Sequence, residues 1–182
     1  YTQEMALTKW LGLGVAIATP LIGGFAGSVQ TKSEIKGWYT RIKKPTWTPP
    51  NFVFPVAWTF LYISQGVASW LVWIKRDTKS VGLPLALYGV QLAMNFCWTP
   101  IFFKAHRPAA AAAESAATLG VAAAATVAMS KVASPEAVLP LMVPYLGWMA
   151  FATVLAGKIA YDNPDAHKID ASVPKEEEAK AK

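Results

Sequence analysis

A chain of 182 residues that is 54% hydrophobic and only 15% charged lacks the surface of a soluble globule, where about 25% charge is usual. The apolar content excludes a disordered chain, and a single cysteine, Cys97, excludes a disulfide-stapled scaffold. The 17 basic and 11 acidic residues leave a net charge of +6, and their placement shows where the apolar residues go.

Five long runs are almost free of charge: residues 6–27, 52–74, 81–103, 109–129 and 137–161. A bilayer core of about 30 Å needs roughly 20 helical residues, so each run is long enough to span it. Together they hold 114 residues and three charges, Lys9, Glu114 and Lys158, all within two turns of a run's end, where side chains reach the interface. The pattern predicts an all-α integral membrane protein, a bundle of five transmembrane helices over residues 1–162, followed by a polar tail over residues 163–182. A β-barrel would show short alternating segments instead.

The first run leads into a basic loop, residues 28–51. Pro49 and Pro50 precede the second run and Lys75-Arg76-Asp77 ends it. Pro108 opens the fourth, at a position suited to the first turn of a helix. The fourth run is built of alanine, Ala109–Ala113 and Ala122–Ala125. Such small residues predict close packing, either inside the bundle or between protomers. Glu114 in its second turn is read as an interfacial acid near Lys104 or Arg107, or as a proton or ligand contact. Ser134-Pro135-Glu136 opens the fifth run.

Loop 1, loop 3 (residues 104–108) and the C-terminus share one side and carry twelve of the basic residues, against five on the other side. The excess places them on the cytosol-like side. The positive charge then reflects topology and attraction to anionic headgroups; no motif supports nucleic-acid binding. The tail, ending Lys175-Glu-Glu-Glu-Ala-Lys-Ala-Lys182, is too polar to fold alone, and a partner protein is one candidate for what would hold it in place. The chain starts at Tyr1 without a methionine, which suggests a trimmed precursor or an unseen N-terminus.

Eight tryptophans are many for this length. Trp10, Trp38, Trp47, Trp70 and Trp73 fit interfacial belts. Trp58, Trp98 and Trp148 lie deeper, each with a same-face neighbour: Tyr62 four after Trp58, Asn95 three before Trp98, Tyr145 three before Trp148 and Ala152 four after it. Indole, phenol and amide groups need partners in hydrocarbon. These residues either glue helices together or converge on a cavity for a flat apolar ligand with a few polar atoms. No metal-ligand cluster, haem-ligating intramembrane histidine, Ser/His/Asp set, P-loop or dinucleotide fingerprint accompanies them. Nor do the runs hold the buried ion pairs of an ion-coupled pump. No cofactor is required, and a metal site is not expected.

Three stretches are familiar. Gly37-Trp38-Tyr39 leads to Lys44-Pro45-Thr46-Trp47-Thr48-Pro49-Pro50-Asn51 and Val53-Phe54-Pro55-Val56-Ala57-Trp58-Thr59-Phe60-Leu61-Tyr62. The third run adds Gln91 to Phe103 with Asn95-Phe96-Cys97-Trp98-Thr99-Pro100, and the fifth adds Pro144-Tyr145-Leu146-Gly147-Trp148-Met149-Ala150-Phe151. From about Leu7 to Asn163 the chain resembles the translocator protein family, also called tryptophan-rich sensory proteins or peripheral benzodiazepine receptors. The resemblance is weakest in the fourth run and absent in the tail.

It implies a five-helix bundle, often dimeric, with a cavity opening towards loop 1. The ligands it implies are porphyrins such as protoporphyrin IX and synthetic benzodiazepine-site compounds, with cholesterol for animal members. Carried over by position, the ligand site uses Tyr39 and Pro49 from loop 1, Trp58 and Tyr62, Asn95 and Trp98, and Trp148 and Ala152. Trp58 and Trp148 take a catalytic role only if light-dependent porphyrin breakdown occurs, through electron donation by a stacked indole. The sterol motif of animal members is a near miss: Leu155 and Tyr161 fit, but six residues separate Tyr161 from Lys168 where the pattern allows five. The resemblance implies a mitochondrial membrane first, with plastid, endoplasmic reticulum and bacterial outer membrane as alternatives. A second reading, an accessory subunit of a larger organellar complex, rests on the tail and the missing methionine. A small-molecule enzyme is the third.

Overall fold

Long charge-free segments satisfy their backbone polar groups only by helix formation in lipid. The computed structural model, which describes residues 2–169, holds five long helices where the charge map puts them, joined by one short one. They are α1 (Thr2–Lys36), the one-turn α2 (Trp38–Arg41), α3 (Val53–Trp73), α4 (Gly82–Thr99), α5 (Pro108–Ala133) and α6 (Pro135–Asp162). A π-helical turn, Pro100–Lys104, extends α4, and a 3₁₀ turn, Ala166–Lys168, follows α6.

The all-α membrane class holds, with two refinements. The helix count is six rather than five, because loop 1 carries α2. Four helical segments among the described residues are long and apolar enough to span a membrane: Leu7–Val29, Gly82–Lys104, Pro108–Ala133 and Pro135–Asp162. The exception is α3, which is charge-free but carries Tyr62, Ser64, Gln65 and Ser69, all buried inside the bundle. Its hydropathy is lowered by the groups it uses for internal contacts. Helix α1 also runs nine residues further than its apolar run. Nothing between Ser28 and Lys36 breaks a helix, and Gly37 is the first residue that does.

Glycine sets the approach of α1. A Cβ on Gly66 of α3 would sit 2.6 Å from the Ala16 carbonyl oxygen and 2.7 Å from the Ile17 Cα. Gly24 faces the Tyr62 ring and Gly23 the Phe96 ring in the same way. Small residues thus let α1 lie against α3 and α4, as expected where packing drives association in lipid. On the other face of α1, Trp10, Val15, Ile22 and Phe25 are all more than 60% exposed, as lipid-facing side chains are.

The alanine helix α5 resolves towards tight packing. Ala111, Ser115, Thr118, Ala122, Ala125 and Met129 recur every three or four residues, are buried, and face α6 and α4. Glu114 accepts a hydrogen bond from the Thr118 hydroxyl at 2.7 Å, one turn along its own helix, rather than forming a described pair with Lys104 or Arg107. Ser134 alone joins α5 to α6, in the left-handed region at φ 77°. Lys79 donates to the Val132 carbonyl at 2.8 Å and so closes the α5 C-terminus.

Residues 163–169, the start of the predicted tail, pack back onto loop 1; Ala166 is buried there. The tail beyond Ile169, and the order expected of it, lie outside the described residues.

Candidate functional site

Six of the eight expected site residues, Tyr39, Trp58, Tyr62, Asn95, Trp98 and Trp148, make contacts along the seam between α3, α4 and α6, at the end where loop 1 crosses the bundle. They form two adjoining groups. In the inner group, Tyr62 of α3 is buried and donates to Asn95 Oδ1 of α4 at 2.7 Å. The Asn95 amide turns its Nδ2 to Met149 Sδ of α6 at 3.7 Å. Trp58 lies over this pair, its ring 5.3 Å from that of Tyr62 and 6.3 Å from that of Tyr145. Trp148, one turn beyond Tyr145, packs against Phe54 at 5.9 Å and Phe151 at 5.3 Å.

The outer group is built on loop 1. Tyr39 is buried against Phe103 and Phe102, with the Lys44 ammonium 4.6 Å from its ring centre. Lys44 also donates to the Tyr39 carbonyl at 2.6 Å and the Ile42 carbonyl at 3.1 Å, which folds the loop around one cation. Burial raises the Tyr39 phenol above its ordinary pKa, so it stays a neutral donor at physiological pH. Trp98 stacks on Phe102 at 4.8 Å with rings 12° from parallel. Pro49 and Ala152 are half-buried, Ala152 one turn after Trp148. Trp47 sets its edge on Phe151 at 5.8 Å and so bridges loop 1 to the inner group.

The seam is lined by aromatic rings around a buried polar pair. Trp58, Trp98 and Trp148 are each half-buried. The indole N–H groups of Trp98 and Trp148 are buried with no hydrogen-bond partner. An unpaired buried donor costs free energy that a ligand acceptor recovers.

Trp38, grouped by sequence with the interfacial tryptophans, is fully buried instead. Its indole donates to the Ala166 carbonyl at 2.8 Å, and its faces meet Phe102 and His106. The sequence reading also missed a polar chain one layer deeper. Gln91 Nε2 of α4 donates to Gln65 Oε1 of α3 at 2.8 Å, and the Tyr145 hydroxyl of α6 donates to Gln91 Oε1 at 2.6 Å. All three residues are inaccessible. Two glutamines in otherwise apolar spans were the signal. Tyr145→Phe strips Gln91 of this donor, and a cost of about 1–2 kcal/mol is expected for an interhelical hydrogen bond in a membrane. Thermal unfolding in detergent would show it; equal stability of Tyr145→Phe and wild type would mean the chain carries no net energy.

Open grooves occur elsewhere. One of about 580 Å³, lined by Lys79, Val127, Lys131 and Leu139, lies at the α5–α6 turn. It is at the opposite end from loop 1 and has no aromatic wall, so it is not the expected site.

Several helices long and apolar enough to cross a membrane, packed around an aromatic seam with a buried polar centre, define a multi-pass membrane protein. The chain belongs to the TspO/MBR family, whose model matches residues 16–161. It is 40% identical to the translocator protein of Homo sapiens over 153 residues, 83% of this chain and 89% of the relative. It is 37% identical to the translocator protein of Bos taurus over 146 residues, 79% and 85% of the two chains. The tryptophan-rich sensory protein of Cereibacter sphaeroides is 38% identical over 132 residues, 71% and 80% of the two. The family resemblance carried by loop 1 and the third and fifth runs is thereby confirmed.

Proposed function

We propose that the protein is a membrane receptor and scavenger for a porphyrin such as protoporphyrin IX, held in the seam between α3, α4 and α6 beneath loop 1. The observation that carries this reading is Trp58 packed on Tyr62, whose hydroxyl pairs with Asn95, together with two further half-buried tryptophans at the same end of the bundle, Trp98 and Trp148, whose indole donors are buried and unpaired. A porphyrin offers wide π faces to the rings and polar edge groups to the donors. The names of the relatives, translocator and sensory proteins, support a receptor or sensory role. The basic excess of loop 1, loop 3 and the C-terminus supports a cytosol-like setting for the loop-1 end, where the ligand enters and leaves. If the bound pigment is photoexcited, Trp58 and Trp148 are the indoles that the family resemblance assigns as electron donors.

Sterol is the weaker ligand class. Leu155 is buried, Tyr161 is 82% exposed and Lys168 pairs with Asp165, so the three do not line one surface.

Titration of protoporphyrin IX into protein-loaded nanodiscs, against empty nanodiscs of the same lipid, tests the proposal. Saturable binding at one site per chain is expected. Uptake equal to that of empty nanodiscs would overturn it.

A further inference from the structure

We infer that Asn163, Trp38 and His106 are positioning residues that hold loop 1 over the aromatic seam; this rests on the ligand-binding reading above. Apart from the Lys44 ammonium bonds to the Tyr39 and Ile42 carbonyls, loop 1 after α2 makes few hydrogen bonds of its own. Between Ile42 and Phe52 its described local backbone bonds are Thr48 N–H to the Pro45 carbonyl and the Val53 N–H to the Pro50 carbonyl. Three ties from elsewhere in the chain fix it.

Asn163 caps the end of α6 and pairs its side-chain amide both ways with the backbone of one loop residue, Lys43. The Lys43 N–H donates to Asn163 Oδ1 at 2.8 Å, and Asn163 Nδ2 donates to the Lys43 carbonyl at 2.8 Å. The same Nδ2 reaches the Ile159 carbonyl at 2.8 Å, so the amide is oriented by the helix it leaves. Three residues later the Ala166 carbonyl accepts the Trp38 indole N–H at 2.8 Å. His106, in loop 3 and at φ 52°, stacks on Trp38 with ring centres 4.4 Å apart and planes 12° from parallel. Its Nε2 lies 2.9 Å from Glu34 Oε2 near the end of α1. The end of α1, loop 3 and the segment after α6 thus converge on loop 1, which carries Tyr39, Trp47 and Pro49. None of the three positioning residues touches the Tyr62–Asn95 centre. Loosening them therefore changes how readily loop 1 moves aside, and leaves the walls of the seam in place.

The test uses the full chain in nanodiscs, with Asn163→Ala, Asn163→Asp and Trp38→Phe. Asn163→Asp keeps an acceptor for the Lys43 N–H but loses the donor; Trp38→Phe keeps a ring against His106 but loses the indole donor. Amide hydrogen exchange without ligand should rise about fivefold in residues 42–52 for Asn163→Ala and Trp38→Phe, less for Asn163→Asp, the scale expected for one lost hydrogen bond. Exchange in α3, α4 and α6 should stay as in wild type. Stopped-flow mixing with protoporphyrin IX should show association and dissociation both faster, with Kd nearly constant. Unchanged loop-1 exchange, a rise spread evenly through the bundle, or unchanged rates in a protein that binds porphyrin would each overturn the inference. Local loosening of loop 1 in a protein that fails to bind porphyrin would uphold the ties and reject the ligand.

Discussion

Replacing Trp58 and Trp148 together by phenylalanine is expected to weaken protoporphyrin IX binding by about tenfold to a hundredfold. The two indoles wall the seam from α3 and α6, and each contacts rings that stay in place when it is changed: Tyr62 and Tyr145 for Trp58, Phe54 and Phe151 for Trp148. Phenylalanine keeps an aromatic ring in both places, so the bundle should fold. What is lost is stacking area and, at Trp148, a buried unpaired donor. Aromatic contacts are worth about 0.5–1.5 kcal/mol each beyond burial, and about 1.4 kcal/mol is tenfold in affinity. Porphyrin absorbance in nanodiscs reads the affinity without relying on the altered tryptophans. Trp70→Phe is the control. Its indole donates to the Lys9 carbonyl at the far end of α3, and its loss should leave the affinity unchanged. A double variant that binds as tightly as the control would remove Trp58 and Trp148 from the site.

Gly66→Ala is expected to be the most damaging single-methyl change in the bundle. The new Cβ would meet the Ala16 carbonyl and the Ile17 Cα, which are backbone atoms and cannot rotate away. Helix α1 must then move off α3, and its contacts through Gly24 on Tyr62 move with it. Overpacking of this kind costs about 1–3 kcal/mol. Gly89→Ala in α4 is the matched comparison, because nothing lies within 4 Å of its Cβ position. There the gain in helix propensity should dominate, worth about 0.5–1 kcal/mol. Thermal unfolding in one detergent should separate the two by several degrees, with Gly66→Ala the lower. Equal melting temperatures would mean that α1 does not sit against α3 as described.

The positions of the long helices were legible because charge is so costly in lipid that its absence marks each span. Helix α3 shows why a charge scan reads this chain better than hydropathy does. Gln65 and Ser69 lower its hydropathy, yet carry no charge and find partners inside the bundle. The deep tryptophans were legible from depth along their helices, and Asn95 as an amide in an apolar run. Which groups they meet was not. The Gln65–Gln91–Tyr145 chain joins three helices, and no spacing within one helix encodes a register between helices. Phe54, Phe102 and Phe151 look the same in sequence as the lipid-facing Phe25 and Phe60. Trp38 was misread because its partner carbonyl lies 128 residues away, in a segment whose polar composition signalled a free tail.

The central claim, that the ligand lies in the seam beneath loop 1, is tested most directly by quenching in two tryptophan sets. The seam set is read in a protein that keeps Trp38, Trp47, Trp58, Trp98 and Trp148 and carries phenylalanine at the other three positions; the flank set, Trp10, Trp70 and Trp73, is read as the difference between wild type and that protein. Both are titrated with protoporphyrin IX in nanodiscs. Saturable quenching confined to the first set is the predicted result. Equal quenching of both sets, rising without saturation as in a ligand dissolved in the bilayer, would contradict the account.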